Sequence, residues 1–213
     1  MLKTIFDRTA ALLGIFVFAP VLIIVAILVK VSSPGPVFYR GVRVGRFGRP
    51  FRQFKFRSMV VSADKIGGPS TADDDPRLTR IGKFLRKYKL DELPQLFNVL
   101  AGDMSLVGPR PEVPFYVGMF SEEEKLILSV RPGITDCATL WNPDEGAVLA
   151  GAPDPEKVFM EKIRPKKVAL QLEYVRNRTF LTDIVIILKT LRAIVTRRQP
   201  PALEVLDRRE PAS

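Results

Sequence analysis

Residues 10–29 read AALLGIFVFAPVLIIVAILV. This run of 20 residues carries no charge. At about 1.5 Å per residue, a helix of this length reaches about 30 Å, the hydrocarbon thickness of a bilayer. A secretory signal has an apolar core of roughly 7–15 residues and ends at a small-residue cleavage site. Here the run is longer and Lys30 follows it, which argues against a cleaved leader. Pro20 lacks a backbone N–H and crowds the carbonyl four residues earlier, so a kink is predicted near Ala19–Pro20. Lys3 and Arg8 precede the run, and Lys30 and Arg40 follow it. A straight crossing is normally positive on one side only. Basic flanks and a central kink therefore favour a re-entrant helix that dips into the membrane and returns to the same face. A kinked helix that spans is the alternative.

Working outward, the chain has 213 residues, which fits one domain or one domain with an appendage. Residues 1–90 hold 17 Lys/Arg against 5 Asp/Glu, and residues 91–213 hold 16 against 18. The net charge of +10 thus comes from the first 90 residues. From Arg8 to Ala63 there are nine basic residues and no acid. Beside an apolar anchor, such a cluster reads as attraction to an anionic membrane face, at about 1 kcal/mol per charge. It could equally grip ligand phosphates. Nucleic acid is the least favoured partner, because the membrane segment gives it no role.

Two counts exclude chemistry. There is no histidine, hence no His general base and no Ser-His or Cys-His pair. Cys137 is the one cysteine, so neither an internal disulfide nor a cysteine-rich metal site is available. A single free thiol sits most comfortably in a reducing compartment. A metal, if used, should be hard and oxygen-bound, such as magnesium.

The Ser33-Pro34-Gly35-Pro36 segment stops the first helix. Segments 37–44 and 51–56 are aromatic-rich with partial alternation, and Gly45, Gly48 and Pro50 between them predict a small β-hairpin. Residues 62–76 read as an exposed loop. A helix is expected from Pro76 with Asp75 as N-cap, and a second from Asp91 to Gly102 with Leu93, Leu96, Phe97 and Leu100 as its buried stripe. The spacing of Ser121 and Glu124 predicts a capping box and a helix to about Val130. Further helices are expected at 166–177 and 183–195, the latter suited either to a membrane surface or to the core. The fold class is α+β, mostly helical, with amphipathic interfacial helices. The expected units are an anchor at 1–32, a catalytic domain at 33–198 and a disordered tail at 199–213.

The candidate chemistry sits in a few places. Asp91 and Glu92 are adjacent carboxylates at an expected helix start, after a basic helix. Capping alone would account for them. Neighbouring cations and a helix start would also favour the ionised form, which can attack phosphorus, while Glu92 could hold magnesium. In Gly108-Pro109-Arg110-Pro111, two prolines restrain the backbone around Arg110. The segment is either a rigid turn or a fixed fork for a diphosphate. Arg131, in Arg131-Pro132-Gly133, has the same two readings. Lys55 and Arg57 flank Phe56 and would share one strand face, as a solvated basic strand or as a phosphate patch.

Three segments carry a family resemblance. They are SPGPVFYRGVRVGRFGRPFRQFKFRSM, DPRLTRIGKFLRKYKLDELPQLFNVLAGDMSLVGPRPE and RPGIT, in that order. Together they resemble the bacterial sugar transferases, the monotopic polyprenol-phosphate phosphoglycosyl transferases. The resemblance implies transfer of a sugar 1-phosphate from a nucleotide diphosphate sugar, usually a UDP-sugar, to polyprenol phosphate. It implies Asp91 as nucleophile and Glu92 as support of the magnesium site. It further implies that Pro109, Arg110 and Pro111 lie near the nucleotide, that Lys55, Arg57, Arg77 and Arg80 contact phosphates, and that Pro20 breaks a re-entrant membrane helix. The implied location is the cytoplasmic face of a bacterial inner membrane, among membrane lipids, with a homodimer left open. Gln171 stands where the family often has Asp, so no anionic role attaches to it. Asp136-Cys137-Ala138 replaces the usual Gly-apolar run. The rival reading is a non-catalytic polybasic protein that binds anionic lipids.

Overall fold

The computed structural model of the chain describes residues 2–68 and 70–196. The expected tail at 199–213 lies outside them. Helix α1 (Leu2–Ser32) is followed by strands β1 (Phe38–Val44) and β2 (Pro50–Phe56). Next come α2 (Arg80–Lys87), α3 (Gln95–Ala101), β3 (Ser105–Val107), α4 (Pro114–Val117) and β4 (Gly133–Thr135). Short helices α5 (Cys137–Trp141), α6 (Glu145–Leu149) and α7 (Pro155–Val158) lead to α8 (Arg164–Asn177) and α9 (Phe180–Thr196). The chain is mostly helical with two small sheets: β1 and β2 pair antiparallel, β3 and β4 in parallel.

Helix α1 runs through Pro20 as a single helical segment. The kink and re-entry expected at Ala19–Pro20 do not appear as a break in it. Its inward residues recur at helical spacing along its whole length. Ala11 packs with Val99 and Met104, Gly14 abuts Leu96, and Val25 and Val29 pack with Phe56 and Leu85. The opposite face exposes Leu13, Phe16, Val17, Ile24, Ile27 and Val31. Among the described residues, this is a helix long and apolar enough to cross a membrane. An apolar surface of this extent marks contact with lipid or with a partner.

Both ends of α1 are tied to the rest of the chain. At the start, Lys3 Nζ pairs with Asp183 Oδ2 at 2.6 Å and donates to the Val107 carbonyl at 3.1 Å. Ser105 Oγ donates to Asp7 Oδ2 at 2.7 Å. At the far end, Arg57 donates to the carbonyls of Val29, Ser33 and Pro34 at 3.3, 2.8 and 2.7 Å. These satisfy carbonyls that a helix terminus leaves open.

The hairpin falls at the predicted place, with Phe38 opposite Phe56 and Val44 opposite Pro50. Helix α2 starts later than expected. Thr79 is its N-cap, accepting from Gly82 N at 2.9 Å, while Asp75 is occupied with Arg77. The capping box is present: Ser121 N donates to Glu124 Oε2 at 2.8 Å and Glu124 N to Ser121 Oγ at 3.2 Å. The helix it opens is a tight 3-10 segment, Glu124–Ser129.

Residues 91–102 depart most from expectation. A 3-10 turn, Leu90–Glu92, precedes α3, and Gly102 closes α3 in the left-handed region at φ 95°. The inward residues are Gln95, Asn98 and Val99, while Phe97 is 37% exposed. Leu96 and Leu100 face α1 rather than a central core. The polar face turns inward because it has work there. Asn98 Oδ1 accepts from Phe54 N at 2.8 Å, and its Nδ2 donates to the Arg52 carbonyl at 2.9 Å. One amide thereby mimics a strand partner and fixes α3 against β2.

Candidate active site

Lys89 ends the turn after α2 with a left-handed backbone, φ 56°. Few side chains adopt this conformation without cause. It redirects the chain so that Asp91 and Glu92 open a new turn beside β2. The Asn98 clamp then sets that turn against Lys55. Lys55 Nζ lies 3.0 Å from Glu92 Oε1. From the other side, Arg110 Nη1 donates to Glu92 Oε2 at 3.0 Å, and Arg110 Nη2 also reaches Oε1. The result is a carboxylate held between an ammonium and a two-pronged guanidinium.

The two neighbouring acids are driven apart. Burial would raise Glu92, but the charges of Arg110 and Lys55 and their hydrogen bonds hold it well below the usual carboxylate range. Asp91 is 6% exposed. Burial pushes its carboxyl above the ordinary aspartate value and the charge of Glu92 adds to this, against Lys55, Arg86 and Lys89. This corrects the expectation that neighbouring cations dominate: Glu92 claims Lys55 and Arg110. Asp91 Oδ1 is buried without a partner. Burial also lowers Lys55 from the ordinary lysine value, opposed by Glu92.

Arg110 is held by its surroundings. Gly108 N donates to the Thr135 carbonyl at 3.1 Å, and Gly133 N to the Pro109 carbonyl at 2.9 Å. A Cβ at Gly108 would come within 2.4 Å of the Arg131 carbonyl, so only glycine allows these two motifs to pack. The Arg110 backbone N donates to Asp136 Oδ2 at 3.1 Å. Gln171 Nε2 donates to the same oxygen at 2.9 Å, while Asp136 Oδ1 caps α5 through Thr139 N at 2.6 Å. Asp136 was not singled out as a site residue from the sequence. Its one signal was the departure at 136–138, and Gln171, the other departure, proves to be its partner.

The structure therefore brings together Asp91, Glu92, Lys55 and Arg110, with Pro109 and Pro111 framing the last. Arg86 and Lys89 add positive charge around Asp91, and Lys89 Nζ lies 4.0 Å from Asp144 Oδ1. Other expected phosphate ligands are placed elsewhere. Arg57 is 5% exposed and spends its Nη1 and Nη2 donors on the end of α1. Strand alternation put it on the same face as Lys55, but it follows β2, where the chain leaves the sheet. Arg77 pairs with Asp75 at 2.6 Å and donates to the Ala63 and Gly68 carbonyls, organising the 62–76 loop. Arg80 is exposed at the start of α2, a helix length from the Asp91 turn. Arg131 Nη1 donates to Thr4 Oγ1 at 3.1 Å and so braces α1. Replacing Arg57 by Met is expected to lower stability by roughly 2–4 kcal/mol, read as a lower urea midpoint, with turnover per folded molecule unchanged.

Glu92 does not fit the role of a free metal ligand in this arrangement, because both of its oxygens are engaged by cations. Among the described residues, no three acidic, His or Cys side chains gather in a metal-binding group.

The site thus joins one carboxylate clamped by two cations to a second that lacks a partner on Oδ1, in a chain that carries a long apolar helix. A family profile described as "Bacterial sugar transferase" matches residues 1–197, and the chain belongs to that family. It is 39% identical over 193 residues to the UDP-N-acetylgalactosamine-undecaprenyl-phosphate N-acetylgalactosaminephosphotransferase of Aeromonas hydrophila, covering 89% of this chain and 43% of that protein. It is 40% identical to the UDP-glucose:undecaprenyl-phosphate glucose-1-phosphate transferase of Escherichia coli K12, covering 90% of this chain and 39% of that protein. It is 34% identical to the exopolysaccharide production protein ExoY of Sinorhizobium fredii, covering 92% of this chain and 86% of that protein. The chain thus spans less than half of the first two relatives and most of the third.

Proposed function

We propose that the protein transfers a sugar 1-phosphate from a UDP-sugar to a polyprenol phosphate, with undecaprenyl phosphate as acceptor. The products are a polyprenyl diphosphosugar and a nucleoside monophosphate, and the step opens assembly of a surface glycan. The observation that carries this reading is the division of labour between the adjacent acids. Glu92 is clamped by Lys55 and Arg110, while Asp91 Oδ1 has no partner.

The reaction runs as two displacements. An ionised Asp91 oxygen attacks the sugar-bearing phosphorus of the donor. The bond from that phosphorus to the bridging oxygen breaks, and the nucleoside monophosphate leaves with the electron pair. A phosphate oxygen of the polyprenol phosphate then attacks the phospho-aspartate, which forms the diphosphate and frees the carboxylate. Lys55 and Arg110 face the phosphates, and Glu92 keeps both cations in register. Holding a soluble and a lipid substrate at one place lowers the entropic barrier.

The long apolar helix supports the same reading. The reading places the catalytic domain at the cytoplasmic face of the inner membrane, with the apolar outer face of α1 turned to lipid. Because Glu92 is already engaged by Lys55 and Arg110, magnesium enters this reading with the donor, as an ion that screens its diphosphate. Radiolabel in the sugar phosphate should remain on the protein, up to one per chain, when lipid acceptor is withheld. Chelation should prevent this labelling without changing the melting temperature. Turnover without any trapped label would favour a direct single displacement. The absence of turnover, with vesicle binding retained, would favour the anionic-lipid-binding rival.

A further inference from the structure

Gln95 opens α3 and is 0% exposed, yet neither its Oε1 nor its Nε2 has a partner. An unpaired buried polar group costs about 1–3 kcal/mol, and folded proteins rarely keep one without a reason. Four residues earlier, Asp91 Oδ1 is also buried and unpaired. A donor without an acceptor and an acceptor without a donor thus lie one turn apart, on the segment that packs against β2. Asn98, three residues on, shows that an amide in this seam can be fully used. The nearby cations are committed: Lys55 and Arg110 both bind Glu92.

We propose that Gln95 is a positioning residue for Asp91. Its Nε2–H donates to Oδ1 through one internal water, and so leaves Oδ2 free to meet the donor phosphorus. A neutral amide suits this task. It fixes one oxygen without the charge that would blunt the carboxylate as a nucleophile. The proposal rests on the transferase reading and adds to it a residue that does not touch substrate.

The test is Gln95→Met, which keeps length and removes both polar atoms, beside Gln95→Glu, which keeps shape but offers no donor when ionised. Donors are UDP-glucose, UDP-galactose and their N-acetylated counterparts, with undecaprenyl phosphate as acceptor. With a donor that the wild type uses, Gln95→Met should lose about 10- to 100-fold in kcat, the scale expected of a misaimed nucleophile, with donor KM within about twofold. Its melting temperature should fall by no more than a few degrees, because the donor lost from Asp91 Oδ1 is partly offset by an apolar group in place of the buried amide. Gln95→Glu should be at least as slow. A fall in melting temperature with kcat unchanged would overturn the proposal in favour of packing. A rise in KM alone would overturn it in favour of a substrate contact. Wild-type protein silent with every donor would overturn the transferase reading itself, and the proposal with it.

Discussion

Asp91→Asn is expected to abolish nucleoside monophosphate release, by on the order of 10⁴-fold or more, and to leave no label on the protein. Membrane binding should persist, because α1 and its two tethers are untouched. The substitution is nearly isosteric and removes a carboxylate that carries no cation of its own, so the fold should tolerate it. The same carboxyl sets a pH dependence. Burial and Glu92 raise its pKa, and attack needs the ionised form. Turnover should therefore fall on acidification at a pH above that at which an ordinary aspartate protonates. A pH–rate profile of kcat/KM checks this. Full activity in Asp91→Asn would remove the nucleophile from the mechanism.

Glu92→Gln should damage both stability and activity. It leaves Lys55 and Arg110 facing a neutral amide inside the protein. The cluster is only partly buried, so breaking one side of it costs about 1–3 kcal/mol. For a chain of this size, that is a fall in melting temperature of roughly 5 °C. Adding Lys55→Met to Glu92→Gln should recover part of the stability, because one uncompensated charge is gone, while activity stays lost. A scanning calorimetry comparison of the two variants measures this. An unchanged melting temperature in Glu92→Gln would mean that the clamp contributes nothing to the folded state.

Elements whose signals are local were legible in the sequence. The uncharged run at 10–29, the glycine and proline punctuation of the hairpin and the Ser121–Glu124 capping box each encode structure within a few residues. The Asp91-Glu92 pair and Arg110 were legible as chemistry, and they do meet. What local reading lacked was the destination of each long basic side chain. Lys55 and Arg57 look equivalent in the sequence, yet one reaches Glu92 and the other the end of α1, because the sheet stops between them. Arg131 was likewise drawn to a partner, Thr4, that proximity along the chain does not reveal, while Arg77 turned to its neighbour Asp75. Asp136 escaped because its role depends on Gln171, 35 positions away. The inward amides Gln95 and Asn98 escaped because apolar periodicity assigns the buried face to leucines, whereas here those leucines turn toward the oily helix.

The pairing of Lys3 with Asp183 spans 180 positions, and it bears on how the protein is made. When the first helix leaves the ribosome, Lys3 and Asp7 have each other, 3.8 Å apart, but Asp183 and Ser105 have not been synthesised. The closer contacts, to Asp183 and Ser105, form only once β3 and α9 emerge. Final seating of α1 thus waits on synthesis of α9, so among the described elements the first in order is one of the last to reach its resting place.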